Sequence, residues 1–252
     1  VSSKARLFNT WMDKSRADLA LLTTQLASGP YPYAGIPWFS TPFGRDAIIT
    51  AMQMLWLDPS LARGVLNFLA RHQADAYSPF RDAAPGKIMH ETRRGEMAAL
   101  QELPFGLYYG GVDTTPLFVM LAGAYAQRTG DLYFIDEIWS ALERAVGWIM
   151  EEGDSDGDGF IDYLRGEESG LANQGWKDSN DSVFHEDGRD PEGAIALVEV
   201  QGYCFAALTA MAELAERRNE FDKASRWQRA AEKLRANVER HFWMEEKQFY
   251  AL

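Results

Sequence analysis

PEGAIALVEVQGYCFAALTAMAELAE (191–216) is apolar almost all round, broken by Glu199 and Gln201. A helix buried on every side belongs inside a layer. The stretch after it, 219–243, is cleanly amphipathic through Phe221, Ala224, Trp227, Ala231, Leu234 and Val238, and belongs outside one. Two concentric layers of helices, with long loops gathered at one end, make an all-α toroid. The competing arrangement is an α-solenoid, but no repeat of fixed period runs through the chain.

Outward from this pair the same grammar recurs. Asp190-Pro191 reads as a cap followed by proline at the first helical position, as does Asp58-Pro59, after which Leu61, Val65, Phe68 and His72 fall in phase. Leu132, Ile135, Trp139, Leu142, Val146 and Ile149 keep a near-ideal helical period behind the tight connection Thr129-Gly130-Asp131. Thr115-Pro116 opens a helix to Arg128, another runs from Asp46 to Trp56, and a first one spans 3–27 until Gly29-Pro30 stops it. The expectation is about seven helices and no strand.

The chain has 252 residues, 46% of them apolar, enough for a substantial core. A net charge of −12 disfavours nucleic-acid and anionic-membrane partners. The lone cysteine, Cys204, excludes an intrachain disulfide and sits in an apolar helical stretch, as a core residue would. Neither a membrane-spanning run nor a signal peptide is visible, so a cytoplasmic location is expected.

Chemistry concentrates in the loops. NQGWKDSNDSVFHEDG (173–188) has no periodicity and combines Trp176, Lys177, Asp178, Asp181 and His185. A tryptophan face beside a carboxylic acid suits a pyranose, whose C–H faces are apolar and whose rim is polar. The same composition also suits a hydrated surface turn. Glycoside hydrolysis needs one protonated carboxyl to donate to the leaving oxygen and a second carboxylate across the ring. Asp178 can be that acid if burial or Asp181 raises its pKa.

GRD (44–46) sits where a loop meets a helix. Arg45 can fork donors toward vicinal hydroxyls and Asp46 can accept from them, unless Asp46 merely caps the helix. Trp38, Phe39 and Phe43 alongside can line an apolar wall. HETRRGE (90–96) carries His90 and Glu91 but lacks the paired histidines of a zinc helix. DSDGDGFID (154–162) puts Asp154, Asp156 and Asp158 at positions one, three and five of a calcium loop. Arg165 stands where that loop needs its bidentate glutamate, so a structural turn competes with calcium and no cofactor is expected.

WFSTPFGRDAI (38–48), KIMHETRRGE (87–96), YYGGVDTTPLF (108–118), TGDLYF (129–134), DSDGDGFIDY (154–163), QGWKDS (174–179) and VEVQGYCFAAL (198–208) run in order through the chain. Together they resemble the bacterial glycogen-debranching, amylo-α-1,6-glucosidase-like family and, more distantly, glucoamylases, trehalases and processing α-glucosidases. The resemblance implies an (α/α)6 barrel and inverting hydrolysis of α-glucosidic bonds in an α-glucan or small α-glucoside. In an inverting site the two carboxyls stand about 6.5–9.5 Å apart.

By position, Asp178 matches the general acid, and Arg45 and Asp46 match residues that hold the terminal glucose. Trp38, Asp113, Trp176, Lys177, Glu199 and Gln201 lie in motifs that line the same pocket, while Ala47 departs from the serine common in the wider group. The family's base lies far toward the end of a barrel with more helices than this chain supplies. The expectation is therefore a single catalytic domain over 1–252, an incomplete barrel with its base beyond Leu252 and a tendency to self-associate. The rival outside this class is a non-catalytic carbohydrate- or calcium-binding helical module.

Overall fold

The computed structural model describes residues 3–177 and 179–251. Its helices are α1 (Arg6–Leu22), α2 (Gly44–Met54), α3 (Pro59–Arg71), the single turn α4 (Glu96–Ala99), α5 (Thr114–Thr129), α6 (Leu132–Gly147), α7 (Val198–Arg217) and α8 (Phe221–His241). Antiparallel hairpins join β1 (Thr23–Leu26) to β2 (Gly29–Pro32), and β3 (Trp243–Met244) to β4 (Phe249–Tyr250). Helix makes up 52% of the structure, so the chain is all-α.

Three helical hairpins, α2–α3, α5–α6 and α7–α8, stand side by side. Helix α5 packs against both α2 and α7, forming an inner row, while α3, α6 and α8 form the outer one. Burial follows the same division. Eleven of the 16 residues of α5 are buried, but only four of the 21 in α8, where Ala224, Trp227, Ala231 and Leu234 make one stripe. Cys204 lies fully buried in α7, and burial raises its thiol pKa. No helix among the described residues is long and apolar enough to cross a membrane.

Local chemistry sets the boundaries. Asp58 accepts from Ser60 N at 3.0 Å and Asp131 from Phe134 N at 3.2 Å, each satisfying an orphan donor at a helix start. Gly130, at φ 71°, ends α5 in the left-handed conformation that suits glycine. Helix α6 widens into a π turn over Trp148–Glu152 before it stops.

Three expectations need correction. Helix α1 ends at Leu22 rather than near residue 27, because the β-branched Thr23 and Thr24 turn extended and pair with Pro32 and Tyr31. Short strands exist where none was expected. Helix α7 starts at Val198, not at Pro191: Gly193 takes φ 85° and Ile195 pairs with Tyr163 in an isolated bridge, so 190–197 is a connector.

Candidate active site

The amino ends of the three inner helices converge. Arg45 and Asp46 lie in the first turn of α2, Asp113 immediately precedes α5, and Glu199 lies in the first turn of α7. Partial positive charge at helix amino ends favours carboxylates there. Arg45 Nη1 donates to Asp113 Oδ2 at 3.1 Å, and both side chains are largely buried (13% and 2% exposed). Burial raises the Asp113 pKa; Arg45 pulls it back and Glu199 pushes it further up.

A cavity of about 580 Å³ opens beside these ends. Phe39, Arg45, Asp46, His90, Trp176 and Lys177, all expected from the sequence, line it. Close backbone approach holds the arrangement together. Gly44 N donates to His90 O at 2.7 Å, and a Cβ on Gly44 would fall 2.3 Å from Met89 O. Only glycine lets α2 begin against the 87–91 segment.

Trp176 is 58% exposed, and its Nε1 donates to Glu199 Oε1 at 2.9 Å. The bond fixes the ring and leaves an apolar face open to a sugar. Asn173 staples the turn behind it: Nδ2 donates to Lys177 O at 2.6 Å and Ser179 O at 3.2 Å, while Oδ1 accepts from Gly175 N at 2.9 Å. Lys177 Nζ donates to Ser182 O at 3.2 Å. Asp178 itself lies outside the described residues.

His90 forms part of the wall as a neutral ring. Burial first, then Arg45, Lys87 and Arg93, push its pKa down to about 3. It can hydrogen-bond a hydroxyl but cannot titrate near neutrality. Glu91, one residue on, is buried and pairs with Arg93 outside the cavity lining; burial raises its pKa, chiefly against the pull of Arg93.

Like Glu91, two further expected residues stand off the cavity wall. Trp38 is 82% exposed and does not line the cavity. Gln201 is fully buried; its Oε1 accepts from Ile161 N at 2.9 Å, while Nε2 donates to Ile161 O at 2.7 Å and Leu197 O at 3.0 Å. Its amide is spent on backbone, so it pins the 161 segment to α7 rather than facing a ligand.

The acidic loop also differs from the calcium pattern. Carboxylate oxygens of Asp154, Asp156 and Asp162 lie within 4.8 Å of one another, while Asp158 instead accepts from Phe160 N at 2.9 Å. Asp154 accepts from Gly157 N at 2.7 Å and Gly159 N at 2.9 Å, and Asp162 accepts from Ser155 N at 2.9 Å. These are turn-closing bonds.

Some of the lining was not foreseen. Leu19, Leu22 and Tyr33, from α1 and the chain just past β2, line the cavity, as do Ile49 and Asn173. Asn173 sits in the loop already singled out, and its amide was the available signal. The contribution of α1 had no local signal.

The sequence profile of the mannosylglycerate hydrolase MGH1-like glycoside hydrolase domain matches residues 43–252. The chain belongs to this family. The MGH1-like match carries the glycoside hydrolase expectation and leaves out the debranching specificity. No curated protein sequence matches the chain.

Among solved structures, a GH78 rhamnosidase from Bacillus sp. GL1 superposes with a TM-score of 0.66 and 15% identity, over 99% of this chain and 22% of that one. A metal-independent α-mannosidase from Streptococcus pneumoniae, solved in a non-productive complex with α-1,6-mannobiose, superposes with a TM-score of 0.55 and 16% identity. That match covers 93% of this chain and 63% of the other. At such identities both structures speak for the fold alone, and the chain spans less than two thirds of either.

Proposed function

We propose that this MGH1-like domain hydrolyses a compact α-linked hexoside with inversion, Asp178 acting as general acid. The observation that carries this reading is the cavity where three helix amino ends bring Arg45, Asp46 and the Trp176–Glu199 pair together, next in the chain to Asp178. Trp176 stacks on the sugar ring and Arg45 and Asp46 bind its hydroxyls. Asp178 protonates the leaving oxygen while a second carboxylate activates water on the opposite face. Asp113 and Glu199 are already held by Arg45 and Trp176, so neither is assigned as that base.

For the substrate, the family's description favours a mannoside of a small hydroxy acid. The cation Lys177 on the cavity wall suits an anionic aglycone. An α-1,6-glucosidic substrate is the second reading, supported by the seven motifs in order. The test is sugar release from mannosylglycerate, glucosylglycerate, α-1,6-mannobiose, isomaltose, panose and trehalose, with Asp178→Asn alongside. Mannose release from mannosylglycerate, reduced about 10²–10⁴-fold in the variant, is expected. Undiminished release by the variant would exclude Asp178 as the acid, and preference for panose or isomaltose would select the second reading.

A further inference from the structure

Away from the cavity lining, one buried carboxylate gathers three donors from distant parts of the chain. Asp82 follows the turn 79–81 in the left-handed conformation, at φ 49°. Its Oδ2 accepts from Tyr108 Oη at 2.6 Å and Gln174 Nε2 at 3.1 Å, and its Oδ1 accepts from Gly166 N at 2.5 Å. Tyr108 Oη in turn accepts from Leu171 N at 2.8 Å. Gln174 returns its carbonyl to Val112 N at 3.1 Å, next to Asp113. Three residues along 166–174, Gly166, Leu171 and Gln174, are thus tied, directly or through Tyr108 and Val112, to one carboxylate and the start of α5.

The fit of the segment confirms how closely it is held. A Cβ on Gly170 would fall 2.7 Å from Asp82 Oδ2 and 3.0 Å from Tyr108 Oη, and one on Gly166 would fall 2.7 Å from Pro79 O. Glycine at both places lets the segment close over Asp82. Tyr108 is fully buried, and burial and the Asp82 bond raise its pKa, so it remains a donor. All three partners of Asp82 donate, and its two carboxyl oxygens accept from all of them.

We propose that Asp82 is a positioning residue of the active site: through Tyr108, Gln174 and Gly166 it anchors 166–174, and so fixes the stretch that carries Trp176 and leads in the chain to Asp178. The proposal rests on Asp178 being the general acid. Asp82 touches no substrate. Its effect falls on the placement of the acid, and a leaving group that needs no proton is indifferent to that placement.

The test compares wild type, Asp82→Asn and Tyr108→Phe on two α-glycosides of the accepted sugar, one with an alkyl aglycone and one with 2,4-dinitrophenol. Asparagine turns an NH₂ toward a donor; phenylalanine keeps the ring and loses only the hydroxyl. The expected result is a loss in kcat of about 100-fold on the alkyl glycoside and under about 5-fold on the dinitrophenyl one. Equal losses on both, or none, would overturn the proposal. Loss of helical circular dichroism in both variants would also overturn it, by making the network a determinant of the whole fold. If wild type cleaves neither glycoside, the functional reading fails and hydrogen exchange decides the anchor separately. Faster exchange confined to 166–177 in the variants supports it, and unchanged or uniformly faster exchange overturns it.

Discussion

His90 shows what burial does to a single side chain beside a sugar site. With a folded pKa of about 3 against an ordinary 6.5, the unfolded chain binds the extra proton throughout that interval. The stability that His90 contributes is present above pH 6.5 and falls as pH drops toward 3, by about 2 kcal/mol at pH 5. Melting curves at pH 7 and pH 5 should therefore show a smaller acid loss in His90→Gln than in wild type. Gln201 makes the opposite point about legibility. Its place in a pocket-lining motif marked it as a ligand residue, but no pattern along the chain reveals that Ile161 consumes both ends of its amide. Gln201→Leu should cost about 2–4 kcal/mol in denaturant unfolding by stranding two buried backbone groups, with KM unchanged. A large rise in KM at unaltered stability would return it to the site.

Among the elements, those with a strong period and a capping signal were legible, and those ended by distant contacts were not. Asp131, Gly130 and the apolar stripe from Leu132 to Ile149 mark α6 by local chemistry alone. The end of α1 depends instead on β2, which closes back on it and lies against α3. A Cβ on Gly64 of α3 would meet Pro30 O at 2.2 Å, so this glycine lets the hairpin dock. Gly64→Ala should destabilise by about 1–3 kcal/mol through overpacking, outweighing the roughly 1 kcal/mol that alanine gains in a helix. Pro32 and Tyr33 line the cavity, so KM should rise with it. Increased stability at unchanged KM would show that the hairpin does not depend on this approach.

For the whole molecule, the alternation of all-round apolar and amphipathic helices made the two-layer fold readable. The convergence of helix amino ends was not, because it depends on how α2, α5 and α7 stand beside one another. That convergence places Arg45 against Asp113 and brings Glu199 to Trp176. The motif loops supplied most of the cavity's polar lining, while its apolar wall from α1 appears only in three dimensions. The central claim is an inverting hydrolysis with Asp178 as acid, and proton NMR of the first-formed sugar tests it most directly. Wild type on an α-hexoside should release the β-anomer first, with Asp178→Asn reduced at least about 100-fold under the same conditions. First release of the α-anomer, or an undiminished rate in Asp178→Asn, would contradict it.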